Sequence, residues 1–227
     1  MIKLRGVSKS FGANPVLDQL DLELHPNEVT AIAGPNGEGK TTILNLICGI
    51  LFPDQGTVEY EGCSSRDCFA VLSGENGMYH KNTVRENIYY MGALQKRKKT
   101  EMERNINSVR KLIPLYDEVC RQLYERLSLG QKRLMTLFGA MATDPKIITL
   151  DEPTEGLDLE HKRQIVRILS LLKAERTIVL ITHDSQFLCD VADRILFLKD
   201  GRIVKESPKT SEDIFLKLYQ NLYGEEA

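Results

Sequence analysis

The stretch Gly34-Pro35-Asn36-Gly37-Glu38-Gly39-Lys40-Thr41-Thr42 constrains this chain more than any other. It reads G-x-x-x-x-G-K-T, with the apolar run Val29-Thr30-Ala31-Ile32-Ala33 before it and Ile43-Leu44-Asn45-Leu46-Ile47 after it. That order predicts strand, glycine loop, helix. A triphosphate needs many N–H donors at close range, so backbone must approach oxygen with no side chain between, and glycine permits this. The helix starting near Lys40 adds its own unpaired N–H groups and positive end. Lys40 supplies charge for the outer phosphates, and the Thr41 hydroxyl suits Mg²⁺.

Before the loop, Ile2-Lys3-Leu4-Arg5 and Leu20-Asp21-Leu22-Glu23-Leu24 alternate apolar and polar, the period of half-buried strands. Ser10-Phe11-Gly12-Ala13-Asn14-Pro15 reads as the turn between them, and periodicity alone makes Phe11 an aromatic covering the sheet edge. After the loop, a helix is expected to about Ile50, then strands at Gly56 to Gly62 and at Cys68-Phe69-Ala70-Val71-Leu72. From Thr83 the spacing turns helical, with Val84, Ile88 and Met91, then Ile106, Val109 and Ile113. Residues 76 to 126 therefore read as a mainly helical insertion. Within it, Lys96-Arg97-Lys98-Lys99 is by default a solvated loop, with contact to a membrane surface or an acidic partner as the alternative.

Beyond the insertion come Leu127-Ser128-Leu129-Gly130-Gln131, a helix through Met141, and Lys146-Ile147-Ile148-Thr149-Leu150-Asp151-Glu152-Pro153. An apolar run ending in Asp-Glu predicts a buried strand with carboxylates at its carboxyl end, where open α/β sheets place ligands. Asp151 is then set to hold Mg²⁺ beside Thr41. Glu152, one residue on, is suited to polarise a water for in-line attack on a γ-phosphate. A second buried strand, Thr177 to Thr182, ends in His183-Asp184, which repeats that geometry. A hairpin turning at Asp200-Gly201 follows, and last a helix with Ile214, Phe215, Leu218 and Leu222 on one face.

Composition narrows the class. Thirty Lys plus Arg against 32 Asp plus Glu leave a net charge of −2, so no global charge argues for nucleic acid. The apolar runs fall far short of the roughly 20 residues that cross a bilayer. The amino end has no signal-peptide pattern, which points to a cytoplasmic location. Five cysteines, scattered and odd in number, point to reduced thiols.

Taken together these residues resemble the nucleotide-binding domain of an ABC ATPase over nearly the whole chain. Gly34 to Thr42 is similar to the Walker A loop, Leu127 to Gln131 to the signature, Ile147 to Glu152 to Walker B, Glu155-Gly156-Leu157-Asp158 to the D-loop and His183 to the switch histidine. The resemblance implies an α/β fold: a P-loop NTPase (RecA-like) core of residues 1–75 and 127–227, with an N-terminal antiparallel β subdomain and the inserted α-helical subdomain at 76–126. It implies ATP and Mg²⁺ as cofactors, Glu152 and His183 as catalytic residues, and Asp151 and Thr41 at the metal. Phe11 becomes the adenine-stacking aromatic and Val16 a neighbour of the sugar, beside phosphate contacts from Gly34, Asn36, Gly37, Gly39, Lys40, Thr41 and Thr42. Ser128, Gly130 and Gln131, with Asp158, would serve the ATP of a second domain in trans. The implied partners are that second ABC ATPase domain and a separate transmembrane permease chain, with the ATPase peripheral on the inner face of the membrane and no nucleic acid.

Three positions depart from the family pattern. The usual glutamine after the strand at 68 to 72 is replaced at Gly74, with Glu75 beside it as a substitute carboxylate facing Mg²⁺ or as part of a plain hinge. Leu129 stands for the common third-position glycine of the signature. Glu38 stands where a small residue is usual, and its charge is expected to weaken ATP binding unless it points outward. The tail Ser211 to Leu218 is similar to that of ATPases pairing with small exporter permeases, which favours export. The alternative is a soluble ABC ATPase acting on a ribosome, DNA or a protein assembly, disfavoured by the balanced charge and the single set of motifs.

Overall fold

The computed structural model describes residues 1–71 and 78–224. Two sheets organise them. β1 (Ile2–Phe11), β2 (Asn14–Leu24) and β4 (Gln55–Tyr60) form an antiparallel sheet in the order β2-β1-β4. The alternation read at residues 2 to 24 is the cause: Ile2, Leu4, Leu20, Leu22 and Leu24 are buried on one face. The connecting turn is tighter than expected, only Gly12 and Ala13.

The second sheet has six strands in the order β5-β6-β7-β3-β8-β9. β3 (Val29–Ala33), β5 (Cys68–Val71), β6 (Ile147–Asp151), β7 (Thr177–Ile181) and β8 (Arg194–Lys199) run parallel, and β9 (Arg202–Pro208) closes the edge antiparallel to β8. All residues of β3, β6 and β7 are buried, as strands covered on both faces must be. Their two-residue period divides them between two cores: Ala31, Ile148, Leu150, Ile178 and Leu180 face one, and Ile32, Ile147, Val179 and Ile181 the other. The β8–β9 hairpin turns at Asp200-Gly201, both with positive φ (51° and 71°), as a tight primed turn requires.

The face of Ile32 is covered by α1 (Lys40–Ile47) and the antiparallel sheet. The face of Ala31 is covered by α5 (Leu129–Ala142), α6 (Leu159–Leu172), α7 (Ser185–Val191) and α8 (Glu212–Tyr223). The insertion between β5 and β6 contributes α2 (Val84–Leu94), α3 (Lys99–Val109) and α4 (Leu115–Val119) to the same core. Thr83 and Glu86 begin α2 with reciprocal caps, Glu86 N–H to Thr83 Oγ1 at 3.2 Å and Thr83 N–H to Glu86 Oε2 at 2.7 Å. The expected junction of core and insertion at 75 and 76 lies outside the described residues.

Phe138 of α5, fully buried, stacks on Tyr116 of α4 with centroids 4.3 Å apart and planes 11° from parallel. Truncating it removes one of the contacts that fasten the insertion to the core, beside the packing of α2 and α3 on α5. Phe138→Ala is expected to cost about 3–5 kcal/mol, read as a lower urea midpoint.

Several expectations needed correction. α1 ends at Ile47, before Ile50, and Ile113 lies past the end of α3, although it is buried. Ile214 is exposed, whereas Phe215, Leu218 and Leu222 do pack against the core, joined there by Tyr223. In the basic run, Arg97 is no free solvated charge: it pairs with Glu101 at 3.2 Å and donates to the Asp144 carbonyl at 3.1 Å.

Candidate active site at the carboxyl edge of the parallel sheet

Strand register brings the site together. Ile181 pairs with both Ile32 and Asp151, so β3, β6 and β7 end at one level of the sheet. The chain emerging from each delivers one part of the site: the glycine loop after β3, Asp151-Glu152 at the end of β6, His183 after β7.

Gly39, the residue before α1, has φ +96°, and a Cβ there would lie 2.8 Å from Val16 Cγ1, so the close turn onto β2 requires glycine. α1 has no side-chain cap and no acidic residue in its first turn. Its first N–H groups are thereby left for an anion. Lys40 is buried, and its Nζ donates to the carbonyls of Gly34 (2.7 Å) and Pro35 (2.6 Å). Burial pushes its pKa down, against the opposing pull of Glu152, Glu38 and Asp151.

Thr41 Oγ1 donates to Asp151 Oδ2 at 3.1 Å. Burial raises the Asp151 pKa, with the Thr41 bond and the Lys40 charge opposing. Glu152 has left the strand with φ +48°, an uncommon conformation for a side-chain-bearing residue, and its N–H donates to the Ile181 carbonyl at 2.9 Å. Its Oε2 accepts the His183 N–H at 3.2 Å, while Oε1 is buried without a hydrogen-bond partner, 3.5 Å from His183 Nε2. Burial raises the Glu152 pKa too, opposed chiefly by the His183 N–H. A buried acceptor without a donor is costly, and an incoming water or hydroxyl would satisfy it.

These groups face one cleft of about 440 Å³. Of the residues expected from sequence it gathers Phe11, Val16, Asn36, Gly37 and Gly39, then Lys40, Thr41, Thr42, Asp151, Glu152 and His183. Gly34 stands outside it, contributing its carbonyl to Lys40. Phe11 lines the cleft and is about half exposed (48%), with the Lys9 ammonium over its ring, 5.8 Å from the centroid. Ile181, a cleft residue that sequence reading passed over, is there because β7 ends beside β6.

Thr41 and Asp151 fit a hard divalent cation: one hydroxyl and one carboxylate already within hydrogen-bonding distance. Among the described residues no cluster of three His, Cys, Asp or Glu could hold a metal by itself. Mg²⁺ would therefore take its remaining oxygens from phosphates and water. Glu75, the other expected ligand, lies outside the described residues, as does Gly74.

Ser128, Gly130 and Gln131 are not in the cleft. Ser128 caps α5, accepting the Gln131 N–H at 3.3 Å while Gln131 Oε1 accepts the Ser128 N–H at 3.0 Å. Asp158 caps α6 by accepting the His161 N–H at 2.9 Å. Lys162, on the next residue, pairs with Asp184 at 2.5 Å, which ties α6 to the residue after His183. Leu129, the departure from the signature pattern, lies against the D-loop, with its Cδ2 2.8 Å from where a Cβ on Gly156 would be.

Glu38 points away from the phosphate end of the loop: its Oε2 accepts the Asp200 N–H of the β8–β9 turn at 2.6 Å. Glu38→Ala is accordingly expected to leave the KM for ATP within about fivefold of wild type, the equivalent of about 1 kcal/mol, in a steady-state assay, since the carboxylate is engaged by the turn and not by the phosphates.

A glycine phosphate loop after the central strand, a lysine at its helix start and a carboxylate pair across the cleft define a P-loop nucleotide-hydrolysing domain. Comparison with known proteins narrows this further: residues 17–155 match the family model described as ABC transporter, and the chain belongs to that family, as an ABC ATPase. The sulfate/thiosulfate import ATP-binding protein CysA of Bacillus cereus is 32% identical over 228 residues, covering 94% of this chain and 62% of that relative's length. The Nod factor export ATP-binding protein I of Rhizobium leguminosarum bv. viciae is 34% identical over 214 residues, covering 90% of this chain and 68% of its own. A dimeric structure of the bacterial ABC transporter cassette MJ0796 superposes with a TM-score of 0.80 at 27% identity, over 93% of this chain and all of that one (100%). The expected fold, an α/β core with an antiparallel β subdomain and a helical insertion, is borne out.

Proposed function

We propose that this chain is the ATP-hydrolysing motor of a membrane transporter, working as an ATP-sandwiched pair of such domains bound to a separate permease chain. The observation that carries the reading is the division of the site. Lys40, Thr41, Asp151, Glu152 and His183 share a cleft with the unpartnered Glu152 Oε1, while Ser128 and Gly130 stand outside it.

In the mechanism, the loop N–H groups and the start of α1 bind the phosphates, and Lys40 exchanges its two carbonyl partners for phosphate oxygens. Thr41 and Asp151 would hold Mg²⁺, which supplies charge neutralisation at the phosphates when bound. Glu152 Oε1 takes the proton of the water that attacks the γ-phosphorus, and its bond from the His183 N–H keeps the carboxylate aimed. Ser128 and the Gly130 N–H of a second copy complete the phosphate cage, so closure of the pair precedes hydrolysis and loss of the γ-phosphate reopens it.

Permease docking is assigned to the insertion. Tyr79 and Tyr90 stand exposed with their rings edge-to-face at 5.1 Å, beside exposed Leu94, an aromatic patch that suits a short amphipathic segment. Among the described residues no helix is long and apolar enough to cross a membrane, so the reading places the transmembrane path in the other chain and this one on its cytoplasmic side.

Capture of the chain from detergent-solubilised membranes is expected to recover a multi-span protein in near-equal amount. Recovery of ribosomal or other soluble assemblies without one overturns the transporter reading. Export remains the finer proposal, on the likeness of the tail to those of exporter ATPases; ATP-driven accumulation of cargo inside inverted vesicles supports it, and ATP-driven discharge reverses it.

A further inference from the structure

The first turn of α6 carries a histidine with two contacts that no part of the hydrolytic cleft uses. His161 Nδ1 lies 2.8 Å from Asp158 Oδ1 and 2.9 Å from Oδ2, so the ring is held by both carboxylate oxygens. The other side of the ring meets the signature. A Cβ built on Gly130 would lie 2.6 Å from His161 Cδ2, 2.6 Å from Nε2 and 2.7 Å from Cγ. Three ring atoms at nearly one distance mean that the imidazole lies flat against Gly130, in space only a glycine leaves open. The side chain is mostly covered, 25% exposed, whereas the Asp158 side chain is 65% exposed.

Asp158 and Gly130 belong to two different surface elements, which Leu129 already brings together by packing at Gly156, and the His161 side chain adds a second link by reaching both Asp158 and Gly130. From this we propose that His161 is a positioning residue that locks the D-loop to the signature within one subunit, so that both are presented to a second subunit's nucleotide as one rigid piece. The inference rests on the sandwich reading of the function and adds the device that aligns its trans-acting half. The physical reason is preorganisation: two loops that close separately each lose freedom on closure, while loops already joined lose it once. The helix cap does not depend on the ring, because the His161 backbone N–H makes its own bond to Asp158.

A bridge needs both of its contacts, and this separates it from packing or capping alone. His161→Phe keeps a ring against Gly130 and loses the bond to Asp158. His161→Asn keeps a donor at the Nδ1 position and loses the ring. Each is made in the full-length chain carrying Glu152→Gln, and ATP-dependent dimerisation with Mg²⁺ is followed by light scattering, beside binding of a fluorescent ATP analogue at concentrations where the chain is monomeric. Both substitutions are expected to weaken the dimer at least fivefold, with monomer affinity for the analogue within twofold and the melting temperature within about 3 °C.

Full-strength dimerisation by the Phe variant shows plain packing and overturns the bridge; by the Asn variant it shows capping and does the same. Monomer affinity falling in step with dimerisation also overturns it, because the ring is outside the cleft. Should one variant fail to fold, the other decides. A Glu152→Gln chain that stays monomeric at micromolar concentration with ATP overturns the sandwich reading itself, a result distinct from any of these.

Discussion

Glu152→Gln lowers the rate of ATP hydrolysis by about 10²–10⁴-fold, the range for removing a general base, with the ATP affinity of the single chain nearly unchanged. The substitution is close to isosteric. The amide oxygen still accepts the His183 N–H, so the loop geometry that holds Oε2 at 3.2 Å is preserved. What goes is the capacity of Oε1, the buried oxygen without a partner, to take a proton. The backbone argues for the same role. A non-glycine residue at φ +48° costs of order 1–3 kcal/mol, and here it swings the carboxylate out of line with Asp151 and toward His183. A residue needed only to cap the strand would gain nothing from that conformation. Phosphate release measured at saturating ATP decides the matter: turnover within tenfold of wild type would mean that another group accepts the proton.

What was legible in the sequence, and what was not, follows from how local each signal is. The glycine loop, the Asp-Glu strand end and the Asp-Gly hairpin were readable because short backbone requirements select a few residue types. The five-residue apolar runs at β3, β6 and β7 announced buried parallel strands for the same reason. Their order in the sheet was not readable: that β3 lies between β7 and β8 is a fact about crossovers, and so is the presence of Ile181 in the cleft.

α6 is legible in principle, since Ile165, Ile168, Leu169 and Leu172 have helical spacing and Asp158 is a good cap, but its start coincides with the D-loop motif. The contacts of His161 and Lys162 across elements are not legible there. α7 had no amphipathic stripe to read, being seven residues with Phe187, Leu188, Cys189 and Val191 all buried. By spacing alone Ile214 fits a wide apolar stripe on α8 as well as its neighbour Phe215 does; packing against Phe197 selects Phe215 and leaves Ile214 in solvent. Glu38 illustrates the limit most clearly. Its charge was visible, but the Asp200 N–H that turns it away lies 162 residues along the chain.

Lys40→Met is expected to lower kcat/KM for ATP by about 10²–10⁴-fold, with no rescue by Lys40→Arg. The magnitude follows from two charge-assisted bonds to phosphate oxygens at about 1.5–3 kcal/mol each, taken at tenfold per 1.36 kcal/mol. Methionine keeps most of the stem's packing in this buried position but leaves the Gly34 and Pro35 carbonyls without their donor, at a cost of about 1–3 kcal/mol. A cooperative melt lowered by only a few degrees then separates loss of charge from loss of fold. The ammonium now sits between the Gly34 and Pro35 carbonyls at 2.7 and 2.6 Å, a nest shaped for a compact donor. A planar guanidinium presents forked donors, which do not match a site where one compact ammonium meets two carbonyls. Burial pushes the Lys40 pKa down while Glu152, Glu38 and Asp151 pull it back, and the loop's own two carbonyls hold the side-chain nitrogen in place. Entry of the triphosphate replaces two neutral carbonyl acceptors with anionic ones, and that exchange is where the binding energy of this side chain is realised. Turnover by Lys40→Arg at half the wild-type rate would show that charge alone suffices and that the shape of the nest is incidental.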